Sequence, residues 1–505
     1  MKTKKRLAGI LLHISSLYGE DLIGVLGKAA FEFVDFLEES GQTLWQLNPI
    51  GHTGFGDSPY QCFSAFAGNP LFIDLEKYLK LGILTKKEWQ DYIANNDYSK
   101  IDYGRLVFSK TKLLKLIYDR IKKSLDKYID TKEYNKFCDE YKWWLNDYAI
   151  FMALKNYYNG AAWNKWAADI KLREQSALEK YGIKLSEEIL FYKFWQFEFY
   201  QQWLKLKKYA NEKNVKIIGD IPIFVAYDSA DVWANKKMFM LDENGEMTFV
   251  AGVPPDYFSE TGQYWGNPLY DWNYHQAIGF DWWLKRIGLS LYLFDGIRID
   301  HFRGFEAFWT IPVAENTAVN GYWTKAPGFE LFRKIKENLR EPFIIAEDLG
   351  VITPEVEMLR DTYNFPGMKI LQFSFSDETN PYLPHNYNTT NCVVFTGTHD
   401  NETTIGWFDS ISKDEKIFEI VCQYLSNINN KNVYLKLIEY AFSSVADYAI
   451  IPLQDWLGLD NSARMNTPST PQGNWQWRCQ KKQLTKPLAK NILKLTKIYN
   501  RVNKT

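Results

Sequence analysis

Eight short apolar runs constrain this chain more than any other feature. They are Leu7–Leu12, Thr43–Leu47, Lys216–Ile221, Gly296–Ile299, Phe343–Ala346, Met368–Leu371, Cys392–Phe395 and Tyr448–Ile451. Most are separated by stretches of helical periodicity, such as Lys28–Glu39 after the first. Parallel strands buried on both faces read as apolar runs, and strands alternating with helices imply βαβ units. Eight such units predict an α/β fold, a (β/α)₈ TIM barrel. Three runs end abruptly in acids among small or polar residues: Gly-Ile-Arg298-Ile-Asp300-His301, Ile-Ile-Ala-Glu347-Asp348 and Val-Phe-Thr-Gly-Thr-His399-Asp400. Chemistry in such a barrel sits at the C-terminal ends of the strands, so the three acids are expected to share one cleft. Two carboxyls flanking a bond are what glycoside chemistry needs.

The 505 residues suggest two to four domains by length, but a barrel with insertions absorbs them. The barrel is expected in residues 1–75 and 206–505, and a mainly helical insertion in 76–205. Within 76–205, Leu114, Ile117, Tyr118, Ile121 and Leu125 form an i, i+3/i+4 stripe. Loop insertions at the barrel mouth are expected in 225–272 and 315–327. No C-terminal β-sandwich is expected after the last barrel helix.

A net charge of −1 draws the chain to neither nucleic acid nor an anionic membrane. Five scattered cysteines with no CxxC pair indicate neither a disulfide framework nor a zinc site and fit a reducing cytoplasm. The apolar stretch after Met1-Lys-Thr-Lys-Lys-Arg6 is six residues long, shorter than the core of a signal peptide. No run reaches the roughly 18 apolar residues of a membrane helix. Aromatic residues make up 17% of the chain; most are expected in the core, and only those in loops beside the acids are candidates for stacking on sugars.

The acid-bearing runs resemble the catalytic signatures of the retaining α-glucan enzymes of the α-amylase clan. Gly56-Asp-Ser-Pro-Tyr60-Gln-Cys-Phe-Ser-Ala-Phe-Ala-Gly-Asn-Pro-Leu71 and Ala251-Gly-Val-Pro-Pro-Asp256-Tyr-Phe-Ser-Glu-Thr-Gly-Gln-Tyr-Trp265-Gly-Asn-Pro268 narrow the resemblance to the 4-α-glucanotransferases, the amylomaltase or disproportionating-enzyme family, from about Gly9 to Trp477. The resemblance implies Asp300 as nucleophile, Glu347 as acid/base and Asp400 as the acid that distorts the sugar ring. Arg298, two residues before Asp300, shares its strand face, and its guanidinium is expected to lower the Asp300 pKa. Glu347 needs a raised pKa, and neighbouring Asp348 should point to the other face. His301 is expected to face away as a structural residue.

The resemblance further implies glucan contacts by Tyr60, Ser58, Asp256, Trp265, Arg298, His399, Phe373 and Asn474, with Trp265 and Asp256 in a loop from Val253 to Pro268. It departs from the family pattern at Ile14, Tyr18, Val25 and His52, all in the first two barrel loops. No HExxH run or GxSxG elbow supports a metalloprotease or serine-hydrolase reading of the His399-Asp400 step. The Gly54-Phe-Gly56 stretch lacks the third glycine of a phosphate loop.

The expected activity is retaining transfer of α-1,4-glucan segments between maltooligosaccharides, in a cytoplasmic monomer or homodimer that needs no metal or cofactor. A retaining α-glucan hydrolase on the same barrel is the first alternative; a non-catalytic α-glucan-binding protein is the second.

Overall fold

The structure is a computed structural model that describes residues 6–255 and 259–502. In chain order its strands are β1 (Leu7–Leu11), β2 (Leu44–Gln46), β3 (Lys216–Pro222), β4 (Phe249–Val253), β5 (Gln263–Pro268), β6 (Gly296–Asp300), β7 (Ala307–Pro312), β8 (Tyr322–Lys325), β9 (Ile344–Ala346), β10 (Gly367–Ile370), β11 (Cys392–Phe395) and β12 (Tyr448–Pro452). Eight of them form one parallel sheet in the order β10-β11-β12-β1-β2-β3-β6-β9. Each falls on one of the eight apolar runs.

The sheet curls until β9 meets β10. Ala346 N–H donates to the Pro366 carbonyl at 2.9 Å, and Asp348 Oδ1 accepts from Met368 N–H at 2.7 Å. One carboxylate thus closes the seam of the barrel. Inside lie Leu11, Leu44, Ile218, Ile345, Met368, Ile370, Val393, Phe395 and Ile450, all buried in a cluster of their own. β-Branched residues recur here because they pack well on a pleated surface.

Helices cover the barrel because their apolar stripes have nowhere else to go. Lys28–Glu39 buries Ala29, Ala30, Phe33, Val34 and Leu37, residues three or four apart that share a face. Burying each larger side chain contributes about 1.5–3 kcal/mol, and Phe33→Ala would cost about 3–5 kcal/mol. The last helix, Lys486–Ile498, buries Ala489, Ile492 and Thr496. Beyond it, the buried Arg501 donates to the carbonyls of Phe442, Ser444 and Ala446 at 3.0–3.1 Å. Among the described residues no strand follows β12.

The segment between β2 and β3 carries helices from Glu76–Lys80 to Ser186–Glu212 and no strand. The boundary expected at 205/206 falls inside Ser186–Glu212, a single helix of 27 residues. Its C-terminal half belongs to the barrel wall, where Trp203 Nε1 donates to the Leu293 carbonyl at 2.9 Å.

The segments read as loop insertions in 225–272 and 315–327 are a correction. They contribute β4, β5 and β8, which with β7 form a four-stranded antiparallel sheet in the order β5-β4-β7-β8. The pairing joins residues far apart in sequence, so no local pattern announces it. No helix among the described residues is long and apolar enough to cross a membrane.

Candidate active site

The site is built on adjacent strands whose register sets charges side by side. Asp220 of β3 pairs with Arg298 of β6 in the parallel register. Asp220 lies two residues beyond the inward-facing Ile218, and Arg298 is its register partner, so both face into the barrel. Arg298 Nη1 contacts both Asp220 oxygens, at 2.9 and 2.8 Å, and Arg298 Nη2 lies 2.9 Å from Asp300 Oδ1. Arg298 is 3% exposed and Asp220 1%. A charge this buried persists only when paired, and here one guanidinium serves two carboxylates. Asp220 escaped the sequence reading; its signal was an acid inside an otherwise apolar strand.

Asp300 ends β6 and Glu347 follows β9, two residues after the inward-facing Ile345. Glu347 is held by main chain: Oε2 accepts from His301 N–H at 2.6 Å and Oε1 from Leu349 N–H at 3.0 Å. Burial, then the neighbouring Asp300 charge, push Glu347 up to about 8. Asp348 points to the other face and pairs with Arg360 at 2.5 Å. For Asp300 the expectation of a lowered pKa is corrected: burial pushes it up, with Asp220 and Asp400 adding to the rise, and outweighs the pull of Arg298. A cleft holding several acids cannot keep all of them charged at no cost.

At the end of β11, His399 Nε2 lies 3.3 Å from Asp400 Oδ2. Asp400 Oδ1 accepts from Asn466 Nδ2 at 2.6 Å. Burial alone would raise Asp400, but His399, Asn466 and Arg298 bring it down to about 2. Burial would lower His399, yet the Asp400 carboxylate raises it. Tyr60 bridges the two halves: its hydroxyl is 2.7 Å from Asp220 Oδ2 and 2.9 Å from His399 Nε2, and its ring stacks on His399. Trp475 completes this wall, with its ring centroid 5.6 Å from that of His399 and 5.9 Å from that of Tyr60. Trp475 was missed in favour of its neighbour, and it adopts a left-handed φ of 63°.

The other expected contacts divide. Ser58 Oγ accepts from Tyr60 N–H at 3.3 Å, within the turn that presents Tyr60. Trp265 is corrected from a loop to a strand position, on β5, where its indole meets the His301 ring edge-on at 4.8 Å. His301 does more than turn away: its φ of 52° directs the main-chain N–H at Glu347 while its ring supports Trp265. Phe373 is 41% exposed and packs near Tyr382. Asn474 spends its amide on its own loop, accepting from Thr467 N–H at 2.9 Å and donating to the Thr470 carbonyl at 3.0 Å. Asp256 lies outside the described residues.

The sequence model of one family, described as 4-alpha-glucanotransferase, matches residues 12–485. The chain belongs to the 4-alpha-glucanotransferase family. It is 48% identical over 500 residues to the 4-alpha-glucanotransferase of Synechocystis sp., covering 98% of both chains. It is also 48% identical over 493 residues to that of Clostridium butyricum, covering 97% of this chain and 100% of the relative. The amylomaltase of Streptococcus agalactiae, solved in complex with acarbose, superposes with a TM-score of 0.94 at 41% identity, covering 99% of this chain and 100% of that one. The positions expected to depart from the family pattern are integrated into the packing. Ile14 is fully buried, Tyr18 bonds Glu32, Val25 packs against the main core, and His52 Nδ1 lies 2.8 Å from Tyr148 Oη.

Proposed function

We propose that the chain transfers α-1,4-glucan segments between maltooligosaccharides by retaining double displacement. An Asp300 carboxylate oxygen attacks the anomeric carbon, the bond from that carbon to the departing glucan's oxygen breaks, and Glu347 gives that oxygen its proton. The 4-hydroxyl of an incoming sugar then attacks the same carbon, returns its proton to Glu347 and releases Asp300. The observation that carries this reading is the unequal setting of two neighbouring carboxyls. Glu347 is raised to about 8 and stays protonated at neutral pH, while Asp300 pairs with the Arg298 guanidinium 2.9 Å away.

In this reading Asp400 and His399 bind hydroxyls of the reacting sugar, and Tyr60 stacks on it. Arg298 holds Asp300, and Trp265 and Phe373 offer aromatic faces to the glucan. Ser58 and Asn474 act through the turns that they close, and Asp256 belongs to the same contact set. The helical segment 76–205 flanks a barrel formed by 1–75 and 206–505, and the reaction needs no cofactor. The protein works in the cytoplasm as a monomer or homodimer, binding neither nucleic acid nor membrane.

Incubation with maltotriose is the test. Transfer yields glucose together with longer maltooligosaccharides at a constant number of reducing ends. A continuous rise in reducing ends without longer products would replace this reading with hydrolysis, and no turnover at all would leave a binding protein.

A further inference from the structure

Against His399 lies a cavity of about 20 Å³. That is room for one water, which needs at least roughly 10–15 Å³ and two to four polar partners. Its lining includes His13, Asn48, Thr398, His399, Asp455 and Arg464.

Most polar groups on this lining are already committed. Asp455 accepts from Thr396 Oγ1 and from Thr404 N–H at 2.5 and 2.7 Å. Arg464 donates to the Asp400 and Asn466 carbonyls at 2.7 and 2.8 Å. Thr398 Oγ1 donates to Asn401 Oδ1 at 2.9 Å, and Glu402 Oε1 accepts from Ser410 and Asn461 at 2.9 and 2.7 Å. Three buried atoms on the lining have no hydrogen-bond partner among the described residues: His13 Nδ1, Asn48 Oδ1 and His399 Nδ1. Their residues are 5%, 1% and 5% exposed. Leaving a buried polar atom unpaired is costly, so three on residues that line one water-sized space call for a shared partner.

The proton count is consistent with one water. The single hydroxyl proton of Tyr60 goes to Asp220, so the Tyr60 oxygen accepts from His399 Nε2–H. Against its burial, the Asp400 carboxylate 3.3 Å away favours the protonated form of His399, in which Nδ1 also carries a proton and needs an acceptor. Burial, with His399 adding to it, lowers His13 to about 3, so His13 is neutral and its Nδ1 can accept. A water that accepts from His399 Nδ1–H and donates to Asn48 Oδ1 and His13 Nδ1 satisfies all three.

We propose that this cavity is a structural water site through which His13 and Asn48, as positioning residues, hold the His399 ring against Asp400. The inference rests on His399 acting at the sugar, as proposed above. The charged and titratable groups facing His399 are Asp400 beside it, Asp220 from β3, Arg298 and Asp300 from β6, Tyr60, His13 at the end of β1, and, across the cavity, Glu402, Asp455 and Arg464.

The chain has six histidines, so histidine-selective ¹⁵N labelling of the full-length protein resolves the His399 ring, assigned with His399→Gln. Asn48→Leu removes the acceptor at similar volume and is expected to lower the His399 titration by about one unit and kcat/KM about tenfold. Asn48→Asp keeps an acceptor, adds charge and is expected to raise the titration. Opposite shifts in the two variants support the site. Shifts of the same sign, or an unmoved titration in either folded variant, overturn it. Should Asn48→Leu fail to fold, the direction of the Asn48→Asp shift decides alone. The maltotriose assay on the unaltered chain separates failure of this inference from failure of the functional reading.

Discussion

The Glu347 end and the Asp400 end of the cleft hold carboxyls in opposite states. Among the described residues Glu347 receives only main-chain N–H groups; it sits beside another acid and rises to about 8. Asp400 has an imidazole at 3.3 Å and a side-chain amide at 2.6 Å, and falls to about 2. Both are acids at strand ends of one barrel. The difference lies in what the neighbouring strands bring: one end stores a proton and the other a negative charge. Tyr60 and the Asp220–Arg298 pair join the two ends.

Asp300→Asn is expected to have the largest effect, a loss of roughly four orders of magnitude in transfer. Because the Asp300 charge helps to raise Glu347, the same variant should lower the Glu347 pKa, whereas Asp400→Asn should not. Titration of Glu347 by infrared or NMR in both variants checks the contrast. Retention of a tenth of wild-type activity in Asp300→Asn would remove it from the nucleophile role.

Glu347→Gln is expected to cost roughly a thousandfold on natural maltooligosaccharides and far less on donors with weakly basic leaving groups. In the unaltered chain, kcat/KM should fall as pH rises through about 8, where Glu347 loses its proton. Stability follows the same group. Folded Glu347 keeps its proton up to about 8, while an unfolded glutamate releases it near 4.5. The folded state therefore binds more protons between those values, and this group costs stability as pH rises across that window. Glu347→Gln should abolish that fall, so its gain in melting temperature should be larger at pH 8 than at pH 4.5. Equal gains at both pH values would contradict the buried, proton-storing setting.

Asp400→Asn is expected to cost roughly a hundredfold in kcat/KM while leaving the alkaline limb near 8 in place. Loss of that limb would merge the two ends into one titrating unit. The smallest effect is expected from Trp265→Ala. An indole against a sugar ring contributes about 1–2 kcal/mol, so overall transfer should fall about tenfold. The ratio of hydrolysis to transfer should rise as water replaces acceptor sugar. Glucose release measured against chain-length redistribution checks this; a fixed ratio would make Trp265 only the support of the His301 ring.

Much of this was legible in the chain alone. Apolar runs with helices between them announced the parallel barrel, because burial on both faces leaves a local signature. The acids at the ends of three runs stood out because carboxylates rarely close apolar strands without reason. The i, i+2 spacing put Arg298 with Asp300, and the single step from Glu347 to Asp348 separated the cleft from the barrel seam.

Other features exist only in the folded molecule. Asp220 becomes the central partner of Arg298 because β3 and β6 are neighbours in register, although 78 residues separate the two in sequence. The small antiparallel sheet draws strands from segments that read as loops, and Trp265 is placed by that pairing. Trp475 reaches His399 through a loop whose backbone is held by Met465 and Tyr103. The direction of the Asp300 shift was decided by burial and by Asp220 and Asp400, neither of which lies beside it in sequence. Periodicity and strand ends are local properties that a sequence carries in its spacing. Register between distant strands, desolvation and the sum of charges in a cleft are properties of the assembled barrel, and they decided which acid holds the proton.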